Sequence, residues 1–402
     1  MARELSNQIG ASRALALAAL VSIAGCGSDA APAGSDGGAD ATLDGAMDAA
    51  PFVFPEVPPF AAGAPITAAP LEWTYIPFDE TRCMNNTPVG IGINPSATSA
   101  DVIIVFQGGN LCFDLTSCIT VANLSGFDAA DLGPTVSYME SGIFSRTDLD
   151  NPMRDWNFVF IPYCSGDLHA GNHPASYRNR AYMGFSNTRA FLSRIVPTFA
   201  DAGRVVVAGS SAGGFGALAN YDQTVAAFQS VGSAARIHLL DDAGPPMGDD
   251  YLRACFQQQL RDVFGLDSTP LIERCPECSG PMGGGLGQIA PFVAGQHPDF
   301  RMGLLATEGD SVIRSFFGYG YSPRCDLPTN MPIDEYQAGL YEMRDVILAP
   351  HPNFKFFVAP GEFHTFLGQP LGATRSSVGG ITVGEWIRQL IDEDPAWDHL
   401  GP

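Results

Sequence analysis

The chain has 402 residues, 46% of them hydrophobic, which suits one large globular domain or two smaller ones and excludes a disordered or fibrous class. Acidic residues outnumber basic ones 43 to 21, for a formal charge of −22. Such a surface repels nucleic acid and other polyanions, so nucleic acid is not expected as a partner.

Arg3 and Arg13 precede an apolar run from Ala14 to Ala24, and Ile23-Ala24-Gly25-Cys26 follows the pattern of a bacterial lipobox. Residues 1–26 therefore read as a lipoprotein signal peptide with Cys26 as the lipid attachment point. The run is too short to span a bilayer. Gly27 follows the cysteine where aspartate would signal retention, so an exported lipoprotein of the outer membrane or cell surface is expected, held to the membrane by its N-terminal lipid. From 27 to 65 the chain is rich in Ala, Gly, Asp and Pro, with no aromatic residue before Phe52. It reads as a disordered acidic tether.

From residue 66 to 402 short apolar runs alternate with helical patterns, the signature of an α/β domain with a mostly parallel central sheet and helices on both faces. Strands are expected at Val102–Phe106, Phe158–Pro162, Val205–Ala208, Ile237–Leu240, Met302–Ala306 and Phe354–Val358. Helices are expected at Thr188–Ala200, Gly213–Phe228, Asp249–Val263, Asp334–Leu348 and Val383–Asp392. The Pro/Gly-rich, cysteine-bearing piece at 265–295 reads as an excursion, part of a lid.

Apart from Cys26 there are eight cysteines: Cys83, Cys112, Cys118, Cys164, Cys255, Cys275, Cys278 and Cys325. An even number in an exported chain argues for disulfides. Cys275-Pro276-Glu277-Cys278 has the spacing of half a zinc site, but no second C-x-x-C or C-x-x-H lies nearby, and no metal is expected.

Arg204–Tyr221, RVVVAGSSAGGFGALANY, is a β-branched run, a glycine-rich turn and a helical stretch. Its G-x-S-x-G spacing lifts Ser211 above the sheet edge at a helix N-terminus, as a nucleophile requires. A serine hydroxyl needs a base, and the base an orienting carboxylate, in the chain order Ser, Asp or Glu, His. His364 follows the last expected strand and is the candidate base. Asp310, on a turn after Met302–Ala306, is the candidate acid, with Glu308 as a neighbour and Asp241/Asp242 as rivals at an earlier strand end. The oxyanion hole needs the N–H after the nucleophile, that of Ala212, and one from the Gly-Gly turn after Phe106, for which Gly109 and Asn110 are the candidates. His169 and His173 share a glycine-rich loop. Their spacing suggests a metal pair only on a helix, so they read as pocket lining or solvent-facing.

Four segments together resemble the pectin acetylesterase and Notum carboxylesterase family of α/β-hydrolases. They are Gly108-Gly109-Asn110-Leu111-Cys112-Phe113, Phe160-Ile161-Pro162-Tyr163-Cys164-Ser165-Gly166-Asp167, Gly209-Ser210-Ser211-Ala212-Gly213-Gly214 and Ala359-Pro360-Gly361-Glu362-Phe363-His364. The resemblance implies a serine esterase without cofactor, with Ser211, Asp310 and His364 as catalytic residues and Gly109, Asn110 and Ala212 around the oxyanion. It also implies the disulfides Cys83–Cys164 and Cys112–Cys118, and leaves the other four cysteines unassigned. Asn110 stands where the family usually has tryptophan, so the indole wall at the pocket mouth is missing while the backbone N–H is kept.

By the same resemblance the substrate is an O-acetyl or other short acyl ester on a polysaccharide. The acidic surface favours a neutral polymer over de-esterified pectin. Two alternatives stand beside it: a non-catalytic surface lipoprotein binding glycans or a partner, and a lipase or polyester depolymerase on the same scaffold.

Overall fold

The computed structural model describes residues 53–402. The lipobox, Cys26 and the tether up to residue 52 lie outside the described residues.

Eight strands form one sheet: β1 (Thr74–Ile76), β2 (Ile91–Asn94), β3 (Val102–Phe106), β4 (Asn157–Ile161), β5 (Arg204–Ser210), β6 (Arg236–Asp242), β7 (Met302–Thr307) and β8 (Phe354–Ala359). Their spatial order is β1-β2-β4-β3-β5-β6-β7-β8. β1, β2 and β4 pair antiparallel, and every pairing from β4 to β8 is parallel. The parallel strands are rich in Val, Ile, Leu and Phe because both of their faces are covered. β1 and β2, three and four residues long, are too short to carry a readable period.

The helices are α1 (Leu115–Cys118), α2 (Ala129–Ser137), α3 (Gly184–Thr198), α4 (Ala212–Ser230), α5 (Ala254–Phe264), α6 (Pro270–Arg274), α7 (Ile289–Gln296), α8 (Ser311–Phe317), α9 (Ile333–Glu342) and α10 (Val383–Ile391). α9 stops six residues short of the expected end and continues as a π-helical turn, Met343–Ile347. α4 is buried nearly all round, which its small residues permit.

Register places the future site. Phe106 lies opposite Gly209, Ser210 opposite Asp242 and Thr307 opposite Ala359, so the carboxyl ends of five parallel strands form one edge. In open α/β sheets that edge is where ligands bind.

The tether expectation is corrected from residue 53 onward. Val57 is buried and Phe60 packs on the core, while the Pro55 carbonyl accepts the Asn172 amide at 2.7 Å and Gly63 N–H donates to Ser193 O at 2.7 Å. This end, VFPEVPPFAAGAP, is apolar apart from Glu56, unlike the acidic part of the stretch before it, and so can pack. Disulfides join Cys83 to Cys164, Cys112 to Cys118, Cys255 to Cys325 and Cys275 to Cys278. With its sulfurs joined to each other, the C-x-x-C pair offers no thiolate pair to a metal.

Candidate active site

Ser211 sits between β5 and α4 with φ 59° and ψ −122°, a conformation that costs a non-glycine residue about 1–3 kcal/mol. Two glycines make the turn possible. A Cβ on Gly209 would lie 2.0 Å from Gly213 O, and one on Gly213 would lie 2.1 Å from Phe106 O. The turn is closed by Ser211 N–H donating to the Asp242 carbonyl at 2.7 Å. Ala212, as the first residue of α4, carries an N–H with no acceptor inside the helix.

Beyond β3, Gly109 has φ +149° and Asn110 φ 60°. Their loop is tied on several sides. Gly109 O accepts Ala122 N–H at 3.0 Å, Asn110 Nδ2 donates to Thr120 O at 2.9 Å, and the Cys112–Cys118 disulfide closes the next turn. Gln107 Oε1 accepts from Tyr163 N–H and Asn123 Nδ2 at 2.9 and 3.0 Å.

His169 is placed differently from its expectation. It is buried, and its Nε2 lies 2.9 Å from the Gln107 carbonyl. A carbonyl only accepts, so Nε2 carries the proton. Burial lowers the His169 pKa to about 4, which keeps the ring neutral at physiological pH. This ring therefore braces the Gly-Gly loop rather than facing solvent, and Gly216 on α4 leaves room for it, since a Cβ there would lie 2.8 Å from His169 Cδ2.

Asp310 caps α8. Its Oδ1 accepts the N–H groups of Val312 and Ile313, both at 3.0 Å, and its Oδ2 accepts His364 Nδ1–H at 2.7 Å. The carboxylate is 1% exposed. With Nδ1 protonated toward Asp310, Nε2 of His364 is left with its lone pair, and that atom is buried without a hydrogen-bond partner among the described residues. His364 and Ser211 line the same cleft, although no hydrogen bond joins Ser211 Oγ to Nε2. In unliganded sites that bond is often long and tightens only with substrate.

The rival acids have other partners. Glu308 accepts Tyr341 O–H at 3.0 Å. Asp241 accepts Gly244 N–H at 2.8 Å, and burial raises its pKa well above the usual carboxylate range. Asp242 binds Ser210 and the backbone just after His364.

Ser211 stands between two cavities. One is apolar, lined by Leu218, Pro246, Leu252, Phe256, Phe317 and the excursion residues Leu266, Leu271, Ile272 and Leu286, with Asn110 and Ala212 beside Ser211. Its volume is about 80 Å³. The other is a more polar cleft of about 340 Å³ lined by Gly108, Gly109, Thr135, Tyr138, His364 and Thr365. Tyr138, 63% exposed, is a wall that sequence reasoning missed, because nothing in the local pattern marks a single aromatic at a helix end as facing the site.

A family model described as pectinacetylesterase matches residues 69–267. The palmitoleoyl-protein carboxylesterase notum2 of Xenopus laevis is 30% identical over 167 residues, which is 40% of this chain and 34% of that protein. The NOTUM carboxylesterase of Homo sapiens is 29% identical over 168 residues, 40% of this chain and 34% of that protein. The chain thus spans about a third of the length of the curated relatives it matches. The solved structure of the Wnt deacylase Notum from Drosophila superposes with a TM-score of 0.57 at 17% identity, covering 83% of this chain and 96% of that one. That likeness shows the α/β-hydrolase fold. Asp310 and His364 lie beyond the residues that the family model matches.

Proposed function

Given that the chain belongs to the pectinacetylesterase family, we propose that it is a serine carboxylester hydrolase that removes short acyl groups, O-acetyl foremost, from a polysaccharide. The observation that carries this reading is the Asp310–His364 hydrogen bond, which fixes the imidazole tautomer and leaves Nε2 basic in the cleft that Ser211 lines.

In the proposed reaction Nε2 takes the Ser211 proton while Oγ attacks the ester carbonyl. The N–H groups of Ala212, Gly109 and Asn110 receive the oxyanion, and removing one such donor typically costs about 10²–10³ in rate. Collapse of the intermediate expels the alcohol with the proton from Nε2. Water, deprotonated by the same nitrogen, then releases the acid and restores Ser211. The glycines at 108 and 109 matter here because their backbone must approach the substrate oxygen closely.

The two cavities divide the ester. The apolar one suits the acyl group, and its 80 Å³ is about half the volume of a cavity of roughly 150 Å³ that accepts benzene. An acetyl or similarly short group enters it without displacing side chains. The printed names of the relatives describe removal of a palmitoleoyl group. A chain of that length requires Leu271, Ile272 and Leu286 to move.

The open cleft suits the alcohol, where the exposed Tyr138 ring can stack on a sugar. The −22 charge favours a neutral glycan over a polyanionic one. Export with a lipid on Cys26 belongs to the same reading, and incorporation of labelled fatty acid at Cys26 tests it.

The functional test is hydrolysis of p-nitrophenyl esters from acetate to palmitate, together with acetate release from xylan, mannan and pectin. The expected profile peaks at acetate to butyrate, disappears in Ser211→Ala, and falls on pectin relative to xylan or mannan at low salt. Unchanged hydrolysis by Ser211→Ala would refute the assignment. Tyr138→Ala is expected to raise KM for the polymer several-fold and leave p-nitrophenyl acetate untouched. An equal effect on both substrates would remove Tyr138 from the cleft's role.

A further inference from the structure

We infer that Asp242 is a positioning residue that locks the turn carrying Ser211 to the turn carrying His364; the inference rests on the serine-esterase reading above. Asp242 ends β6, in register with Ser210 on β5, and is fully buried. Its carboxylate reaches in two directions. Oδ2 accepts Ser210 Oγ–H at 2.6 Å and Leu367 N–H at 3.0 Å, and Phe366 N–H reaches both oxygens at 2.9 and 3.0 Å. Its own carbonyl accepts Ser211 N–H at 2.7 Å.

One residue thus holds the backbone and the neighbour of the proposed nucleophile, and also the two amides that begin two positions after the proposed base. The amides lie 124 and 125 residues further along the chain. The turn they anchor includes Thr365 at φ 64°, a conformation that does not hold itself in a non-glycine residue. Asp310 acts on the imidazole ring, whereas Asp242 acts on the distance between the two turns. With no hydrogen bond joining Ser211 Oγ to His364 Nε2, that distance has to be set from outside the pair.

A buried carboxylate is costly unless its acceptor directions are filled, and here the amides and the Ser210 hydroxyl fill them. Burial pushes the Asp242 pKa up to about 6, while Leu367, Ser210, Phe366 and the nearby His364 pull it down. Asp241, beside it on β6, is the other titratable group that interacts with it. The ionised form accepts every one of these hydrogen bonds, whereas protonation puts a donor where acceptors are needed.

Misplacing reacting groups by about 1 Å costs on the order of 10² in rate. Steady-state hydrolysis of p-nitrophenyl acetate by the full chain, by Asp242→Asn and by Ser210→Ala provides the test, with melting temperatures alongside. Asp242→Asn is expected to lower kcat by roughly 30–100-fold with KM within twofold, and Ser210→Ala by roughly 3–10-fold. The acid limb of the kcat profile should lose one proton in Asp242→Asn. A merely structural carboxylate would lower the melting temperature and leave kcat and its pH limb alone, and that result overturns the inference. If Asp242→Asn does not fold, Ser210→Ala decides, and an unchanged kcat there overturns the inference. A parent inactive on every ester overturns the esterase reading and this inference with it, whereas an active parent with unaffected variants overturns this inference alone.

Discussion

At the carboxyl edge of the sheet, the turns around Ser211, Gly109 and Thr365 are set by backbone: positive φ values, two glycines packed against carbonyls, and amides captured by Asp310 and Asp242. The excursion at 265–295 is tied down by side chains: Asp249 and Gln257 accept the Gly285 and Leu286 N–H groups, both at 2.8 Å, and one arginine makes the most contacts. Buried Arg261, on α5, donates from Nε to Gly283 O at 2.8 Å and from Nη2 to Gly284 O at 2.9 Å, reaches Cys278 O as well, and pairs with Asp267. The Cys275–Cys278 disulfide tightens the same piece. The first region stores strain at the proposed nucleophile, and the second is stitched down beside it. The excursion forms a wall of the apolar cavity rather than a loose flap.

Replacing Ser211 with glycine sharpens the comparison most. Glycine adopts φ 59° without penalty, so the variant is expected to gain about 1 kcal/mol of stability while activity falls by at least roughly 10⁴-fold. Urea unfolding and ester hydrolysis check the two halves. A variant that loses stability would show that the turn holds no strain.

Arg261→Met attacks the other region. It leaves three carbonyls without their donor and is expected to cost about 3 kcal/mol. The acyl wall loosens, so discrimination against p-nitrophenyl octanoate should weaken several-fold while acetate turnover stays within a few-fold of the parent. Equal losses on both esters would mean that the excursion supports the whole site rather than its acyl side.

The smallest effect concerns His169. Its pKa, lowered by burial to about 4, lies below the value near 6.5 in an unfolded chain. The unfolded state therefore binds a proton first, and the stability His169 contributes above pH 6.5 is lost as pH falls toward 4. His238, lowered to about 3 chiefly by burial, acts in the same direction, and Asp242, raised to about 6, opposes both. His169→Gln should reduce the slope of unfolding free energy against pH in this window by about 1.4 kcal/mol per unit. Urea unfolding at pH 7 and pH 5 measures it, and an unchanged slope would mean that the ring is charged or exposed.

What could be read in the sequence follows the same division. β3 to β8 are predominantly apolar runs bounded by turns, broken only by single residues such as His238 and Lys355, and the Ser211 elbow announces itself because only glycines fit around it. Asp310 was legible by its place at a strand end, one residue before the helix it caps. Asp242 was visible as a residue but not in its role, because its partners at 366 and 367 are set by tertiary approach and not by any local pattern. Arg261 was invisible for the same reason, since one arginine on an amphipathic helix normally signals solvent. His169 misled because a glycine-rich loop suggests exposure, while here the ring is buried against Gly216 of α4, which no local pattern links to it.

The central claim is that His364, held by Asp310, activates Ser211. Its most direct measurement is peptide mapping of the folded protein after reaction with a fluorophosphonate, in the parent and in His364→Ala. The account predicts a single adduct on the peptide containing Ser211 in the parent and little or none in the variant. An adduct on another residue, no adduct, or labelling of Ser211 at the same rate without His364 would contradict it.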